Sequence, residues 1–93
     1  MHGGEVVKIK SQYYINYDED DISIMERLTD GGARFVSPIS ATAAMAWDGI
    51  ERGLGREALI DAVANEFSVD PALVAADLDA LLTRLLTLGY AEE

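Results

Sequence analysis

Apolar residues change their spacing near Pro38, and the change divides the chain into two parts. Before it, β-branched and aromatic groups come in short runs separated by polar clusters, the pattern of strands joined by turns. Val6-Val7-Lys8-Ile9-Lys10 suits either a short strand or a flexible lead-in. Tyr13-Tyr14-Ile15-Asn16-Tyr17 carries three aromatics and predicts a strand. Asp18-Glu19-Asp20-Asp21 is a polar turn, and Ile22-Ser23-Ile24-Met25 is the next strand. Thr29-Asp30-Gly31-Gly32 is the strongest turn signal in the chain, because glycine accepts the positive φ of tight hairpins. Ala33-Arg34-Phe35-Val36-Ser37 follows as a third strand. Two successive hairpins imply an antiparallel meander.

After Pro38 the apolar positions recur every three to four residues, as on helices. Ser40 can cap a helix running to about Arg52, with Ala43, Trp47 and Ile50 on one side. Gly53-Leu54-Gly55 breaks it. A second helix from Arg56 to Phe67 places Leu59, Ile60, Val63 and Phe67 together. Asp70-Pro71 supplies an N-cap and a proline at the first helical position, where no donor amide is required. The third helix carries Val74, Leu78, Leu81, Leu82 and Leu85, a stripe wide enough to bury. Gly89 suits the left-handed residue after its end, with Tyr90 folding back on Leu85. The expectation is an α+β fold, a three-stranded antiparallel sheet followed by three helices. It is read as one domain over 1–93, with a meander over 1–37 and a three-helix part over 38–93.

Composition narrows the chemistry. The chain has 93 residues, no cysteine and one histidine, His2. Disulfides, thiolate nucleophiles and cysteine-based metal sites are excluded, and histidine catalysis at a chain end is not expected. No metal, cofactor or catalytic residue is therefore assigned. The net charge of −10 repels phosphate backbones and anionic lipid and favours basic partners, although solubility alone also explains such an excess. No run is long enough to span a bilayer, and Met1-His2-Gly3-Gly4 lacks the features of a signal peptide. A cytoplasmic protein without membrane or nucleic-acid partners is expected.

Local motifs for other chemistry fail on spacing. Asp18-Glu19-Asp20-Asp21 lacks the spaced ligands, glycine and closing glutamate of a calcium loop. Asp77 and Asp79 point to different helix faces and do not form a catalytic pair. Gly53-Leu54-Gly55 lacks the preceding strand of a nucleotide loop. Trp47 reads as core.

Taken in order, Thr42-Ala43-Ala44-Met45-Ala46-Trp47, Arg56-Glu57-Ala58-Leu59-Ile60, Phe67-Ser68-Val69-Asp70-Pro71, Ala76-Asp77-Leu78 with Leu81, Leu82 and Leu85, and Leu88-Gly89-Tyr90 resemble the PqqD family of peptide chaperones, also called RiPP recognition elements. The resemblance covers Ser37 to Glu92. The chain departs from many relatives at Ser37-Pro38-Ile39-Ser40-Ala41, where they carry Leu-Asn, and at Arg52-Gly53, where they carry Asp-Gly. Those departures leave the subfamily and the client peptide open.

The resemblance implies a winged helix-turn-helix-like fold. It further implies that a precursor's leader peptide adds as a strand to the third strand and packs against the third helix. The partner would be a radical SAM protein or another modifying enzyme.

The residues suit such a site. Strand addition needs an open sheet edge, and only Arg34 guards Ala33 to Ser37. In a regular strand Arg34 and Val36 share one face, and Ala33, Phe35 and Ser37 the other. On the third helix, Leu73, Asp77, Leu81 and Arg84 form a flank beside the core stripe, or else Leu81 is core and Asp77 merely solvated. A winged-helix DNA-binding regulator would need a basic third helix, whereas Asp70, Asp77 and Asp79 outweigh Arg84. A generic protein–protein module is the other reading. The chain is either a monomer or a homodimer formed by edge pairing or swapping.

Overall fold

A computed structural model describes residues 7–93. Its elements run β1 (Lys8–Ile9), β2 (Tyr13–Tyr17), β3 (Ile22–Arg27), β4 (Ala33–Pro38), α1 (Ala41–Glu51), α2 (Arg56–Phe67), α3 (Pro71–Thr87) and β5 (Ala91–Glu92). Val6, at the start of the expected lead-in, lies outside the described residues.

The meander forms one antiparallel sheet in the order β2-β3-β4. Its first turn is closed by the Asp18 amide donating to the Asp21 carbonyl at 2.8 Å. In the second, the Gly31 amide donates to Leu28 and the Leu28 amide to Gly32, with Gly31 at φ 92°. That is a three-residue hairpin loop whose last position requires a left-handed residue.

Helices α1 and α3 begin and end on residues whose side chains or flexibility suit those positions. Ser40 accepts a hydrogen bond from the Ala43 amide, and Asp70 accepts one from the Ala72 amide. After α1 the Gly53 and Leu54 amides turn back to the carbonyls of Ile50 and Gly49; after α3 those of Gly89 and Tyr90 turn back to Leu86 and Leu85. Both closures place a glycine at positive φ and leave an apolar residue, Leu54 or Tyr90, packed against the core.

The core lies where α1, α2 and α3 meet one face of the sheet. Trp47 is completely buried, surrounded in one cluster by Ile24, Ile50, Leu59, Ile60, Val63, Val74, Leu78 and Leu85. The periodicity placed Phe67 on the same side as Leu59 and Val63, yet it is 38% exposed. Phe67 is the last residue of α2, and the chain leaves the core there through Ser68 in the left-handed region.

Of the two remaining short strands, β1 falls within the segment that reads as either a strand or a lead-in, and β5 is not among the expected elements. β5 pairs antiparallel with β1, Lys8 opposite Glu92 and Ile9 opposite Ala91, so the chain's described ends meet beside the core. Tyr13 and Tyr90 pack edge to face next to it, their centroids 5.0 Å apart. Among the described residues no helix is long and apolar enough to cross a membrane.

Candidate functional site

The third sheet strand, β4, is an edge. Its inner side pairs with β3, and among the described residues no strand pairs with its outer side. The hydrogen-bond phase of the sheet determines which backbone groups point outward. Arg27 donates to Gln12 on the β2 side, whereas Leu28 donates to Gly32 and Ile22 accepts from Ile39 on the β4 side. Even-numbered β3 residues therefore address β4, and the pair Glu26–Arg34 exchanges bonds. It follows that the amides and carbonyls of Ala33 and Phe35 face the open edge. Further along, Pro38 has no amide, and its carbonyl accepts from the Ser37 hydroxyl. The edge available to another strand is short.

Register shifts between Ile24 and Met25: Ile24 pairs with Ser37 while Met25 pairs with Phe35, which leaves Val36 as an extra residue. This one-residue bulge corrects the expected division of faces. Ala33 and Phe35 do share the outer face, with Phe35 60% exposed. Ser37 moves to the other face, opposite buried Ile24, and joins Arg34 and Val36 on the helix side. A one-residue slip reverses the side of everything beyond it, and here it reverses only Ser37 and Pro38 before the strand ends. Arg34 is not free: its guanidinium is paired with Glu26 across the ladder.

Two clefts lie along α3, and the smaller of them adjoins this strand. The smaller, about 190 Å³, lies between the end of β4 and α3 and is lined by Ser37, Ile39, Leu81, Arg84, Leu85, Leu88 and Tyr90 among others. The larger, about 400 Å³, lies among the start of α1, α2 and α3, with Leu59, Val63, Val69, Val74 and Leu78 in its walls and Asp77 and Arg84 also lining it. Ser40, Ala43, Leu81 and Arg84 line both, so the two form one continuous trough along α3. Its lining is predominantly apolar, with opposite charges available for orientation.

Of the predicted helix flank, the structure brings Asp77, Leu81 and Arg84 to this trough. Leu73 is 61% exposed and lines neither cleft: in the first turn of α3 it is the neighbouring Val74 that is buried and lines the larger one. Sequence reasoning missed Ser40, Ala43, Val69, Leu88 and Tyr90. They are loop, cap and helix-start residues whose approach to α3 depends on the tertiary fold. Asp79 is on a different face and is held by Arg56.

Comparison with known proteins places this trough in a family. The description "Coenzyme PQQ synthesis protein D (PqqD)" matches residues 36–90, more than half of the chain. The chain belongs to the PqqD family. The match runs from the bulge in β4 to the turn after α3, so it includes every residue lining the trough except Ile24 of β3. Among solved structures, the PqqD-family chain is similar to "TbiB1 in Complex with the TbiA(beta) Leader Peptide". The identity is 26% and the TM-score 0.66, over 91% of this chain and 94% of that one. No curated protein sequence matches this PqqD-family member.

Proposed function

We propose that this protein is a single peptide-binding unit that takes the leader of a ribosomally made precursor as a fourth strand on β4. It presents that leader to a modifying enzyme, such as a radical SAM maturase, and performs no chemistry itself. The observation that carries the reading is an open strand edge running directly into an apolar trough, in a PqqD-family fold similar to a protein solved with a leader peptide.

In this mechanism the peptide backbone bonds to Ala33 and Phe35, while alternate side chains turn toward Arg34, Val36, Ser37 and the trough. Two residues with outward groups offer at most four backbone hydrogen bonds. At about 0.5–1.5 kcal/mol net each, these supply only part of the roughly 8 kcal/mol of micromolar binding. Side chains seated beside Leu81 must supply the remainder, and Asp77 and Arg84 give it charge specificity. The absence of cysteine supports a non-catalytic role. Against DNA binding, α3 carries Asp77 and Asp79 with Arg84 as its one basic residue.

The test is titration of the labelled protein by NMR, using synthetic leaders from short reading frames sought beside this gene. Shifts should concentrate on residues 33–37 and 77–85. Absence of any shift at roughly micromolar protein would sink the proposal.

A further inference from the structure

The groups that β4 leaves unpaired are self-complementary. Ala33 and Phe35 both direct their amide and carbonyl outward, and Arg34 between them directs its own inward to β3. A two-fold axis through Arg34 would set Ala33 opposite Phe35 of a second copy, and Phe35 opposite that copy's Ala33. Both pairs would then be hydrogen-bonded in an antiparallel ladder. On the outer face a large ring would meet a methyl group in each pair. The two phenylalanine rings would lie diagonally across the axis, within reach of one another. Phe35 is 60% exposed, and no strand among the described residues pairs with its edge.

On the inner face the two arginines would lie side by side. Each is already paired with its own Glu26, whose side chain is only 17% exposed, so the juxtaposed groups are two ion pairs instead of two bare cations. The ladder cannot extend far: the bulge at Val36 and the missing amide of Pro38 end it on one side, and the Gly31–Gly32 turn on the other.

We infer that the β4 edge binds a second copy of this chain, forming a weak two-fold dimer centred on Arg34 that occupies the peptide site until a peptide displaces it. The masking rests on the peptide-binding reading above; the pairing does not. A charge of −10 on each copy opposes association, so the dimer should tighten when salt screens that repulsion.

Sedimentation equilibrium of the full chain across roughly micromolar to millimolar concentrations tests the pairing. The expected result is reversible monomer–dimer exchange that strengthens from about 50 mM to about 500 mM NaCl. Phe35→Lys should weaken it at least about tenfold with an unchanged circular dichroism spectrum, and Ala33→Asp should do the same through the opposite half of each pair. Tyr17→Lys, on the far strand of the sheet, should leave it intact. A monomer throughout would overturn the inference, as would a dimer indifferent to both edge substitutions or one abolished by Tyr17→Lys. Adding the leader peptide then tests the masking: the mass should fall to that of a monomer with peptide. A dimer that binds peptide without dissociating would overturn the masking and leave peptide binding standing. A peptide that does not bind at all would remove the masking together with the proposed function, and the pairing would still be decided by sedimentation.

Discussion

Arg56 grips Asp79 with two hydrogen bonds, Nε to Oδ1 at 3.2 Å and Nη2 to Oδ2 at 2.9 Å, joining the first turn of α2 to the middle of α3. The hydrogen bonding, reinforced by the guanidinium's charge, holds the Asp79 carboxyl below the usual aspartate range and raises Arg56. Both side chains remain about half exposed, so water and salt screen the pair.

The consequence appears only in acid. A carboxyl whose folded-state pKa is depressed stabilises the fold fully above its unfolded value, about 3.9, and loses that contribution as pH falls through the folded value. An NMR titration of the Asp79 carboxyl should give a midpoint below that of a free aspartate. Arg56→Gln should return it to the ordinary range, and the stability difference between the two proteins should shrink as pH drops. A midpoint unmoved by Arg56→Gln would show that the pair does not persist in solution.

Gly49 sits in the last turn of α1, still a helical position, where a glycine costs up to about 1 kcal/mol relative to alanine. The reason is the crossing with α2: a β-carbon here would intrude on the Leu59 side chain and come within 3.3 Å of Leu54 Cδ1. Gly49→Ala should therefore destabilise the protein, by about 1–3 kcal/mol in urea unfolding, despite its better helix propensity. Combining it with Leu59→Ala should cost less than the two single changes added together.

Ser68 ends α2 at φ 55° and ψ 47°, a left-handed conformation that costs a side-chain-bearing residue energy. Ser68→Gly should raise stability by about 0.5 kcal/mol, seen as a higher thermal midpoint. A lower midpoint would mean that the serine is compensated in a way the backbone does not reveal.

The helices were legible because their ends are chemically marked: Ser40, Asp70-Pro71 and Gly89 each occupy the position that their side chain or its absence favours. The edge strand was legible for a similar reason, bounded by a glycine turn and a proline. The bulge was not. No residue type in Phe35-Val36-Ser37 demands an extra position, and the slip becomes visible only against the partner strand. Nor was the β1–β5 ladder, since two pairs of residues from opposite ends of the chain carry no periodicity. Gly49 did carry an unread signal, because an interior helical glycine marks a close approach. The trough was half legible: helical spacing found Leu81 and Arg84, but the contributions of Ser40 and Val69 arise from how α1 and α2 pack against α3.

That difference can be measured within a single helix. Leu73 and Leu81 lie eight residues apart on α3 and were assigned to the same flank, yet Leu81 lines both clefts and Leu73 lines neither. Leu81 is only partly buried, packed against the core at its base, so Leu81→Ser should cost some stability as well as apolar contact with a bound peptide. If the trough holds the leader's side chains, Leu81→Ser should weaken leader binding by about tenfold or more, the scale of losing one buried anchor. Leu73→Ser should leave the affinity within about twofold, because surface substitutions away from the contact change little. Isothermal titration of both variants under conditions where each is folded separates the two expectations. Equal losses would extend the site to the exposed side of α3 that carries Leu73. No loss at Leu81 would place the peptide along β4 alone, held by the backbone of Ala33 and Phe35 without support from the helix.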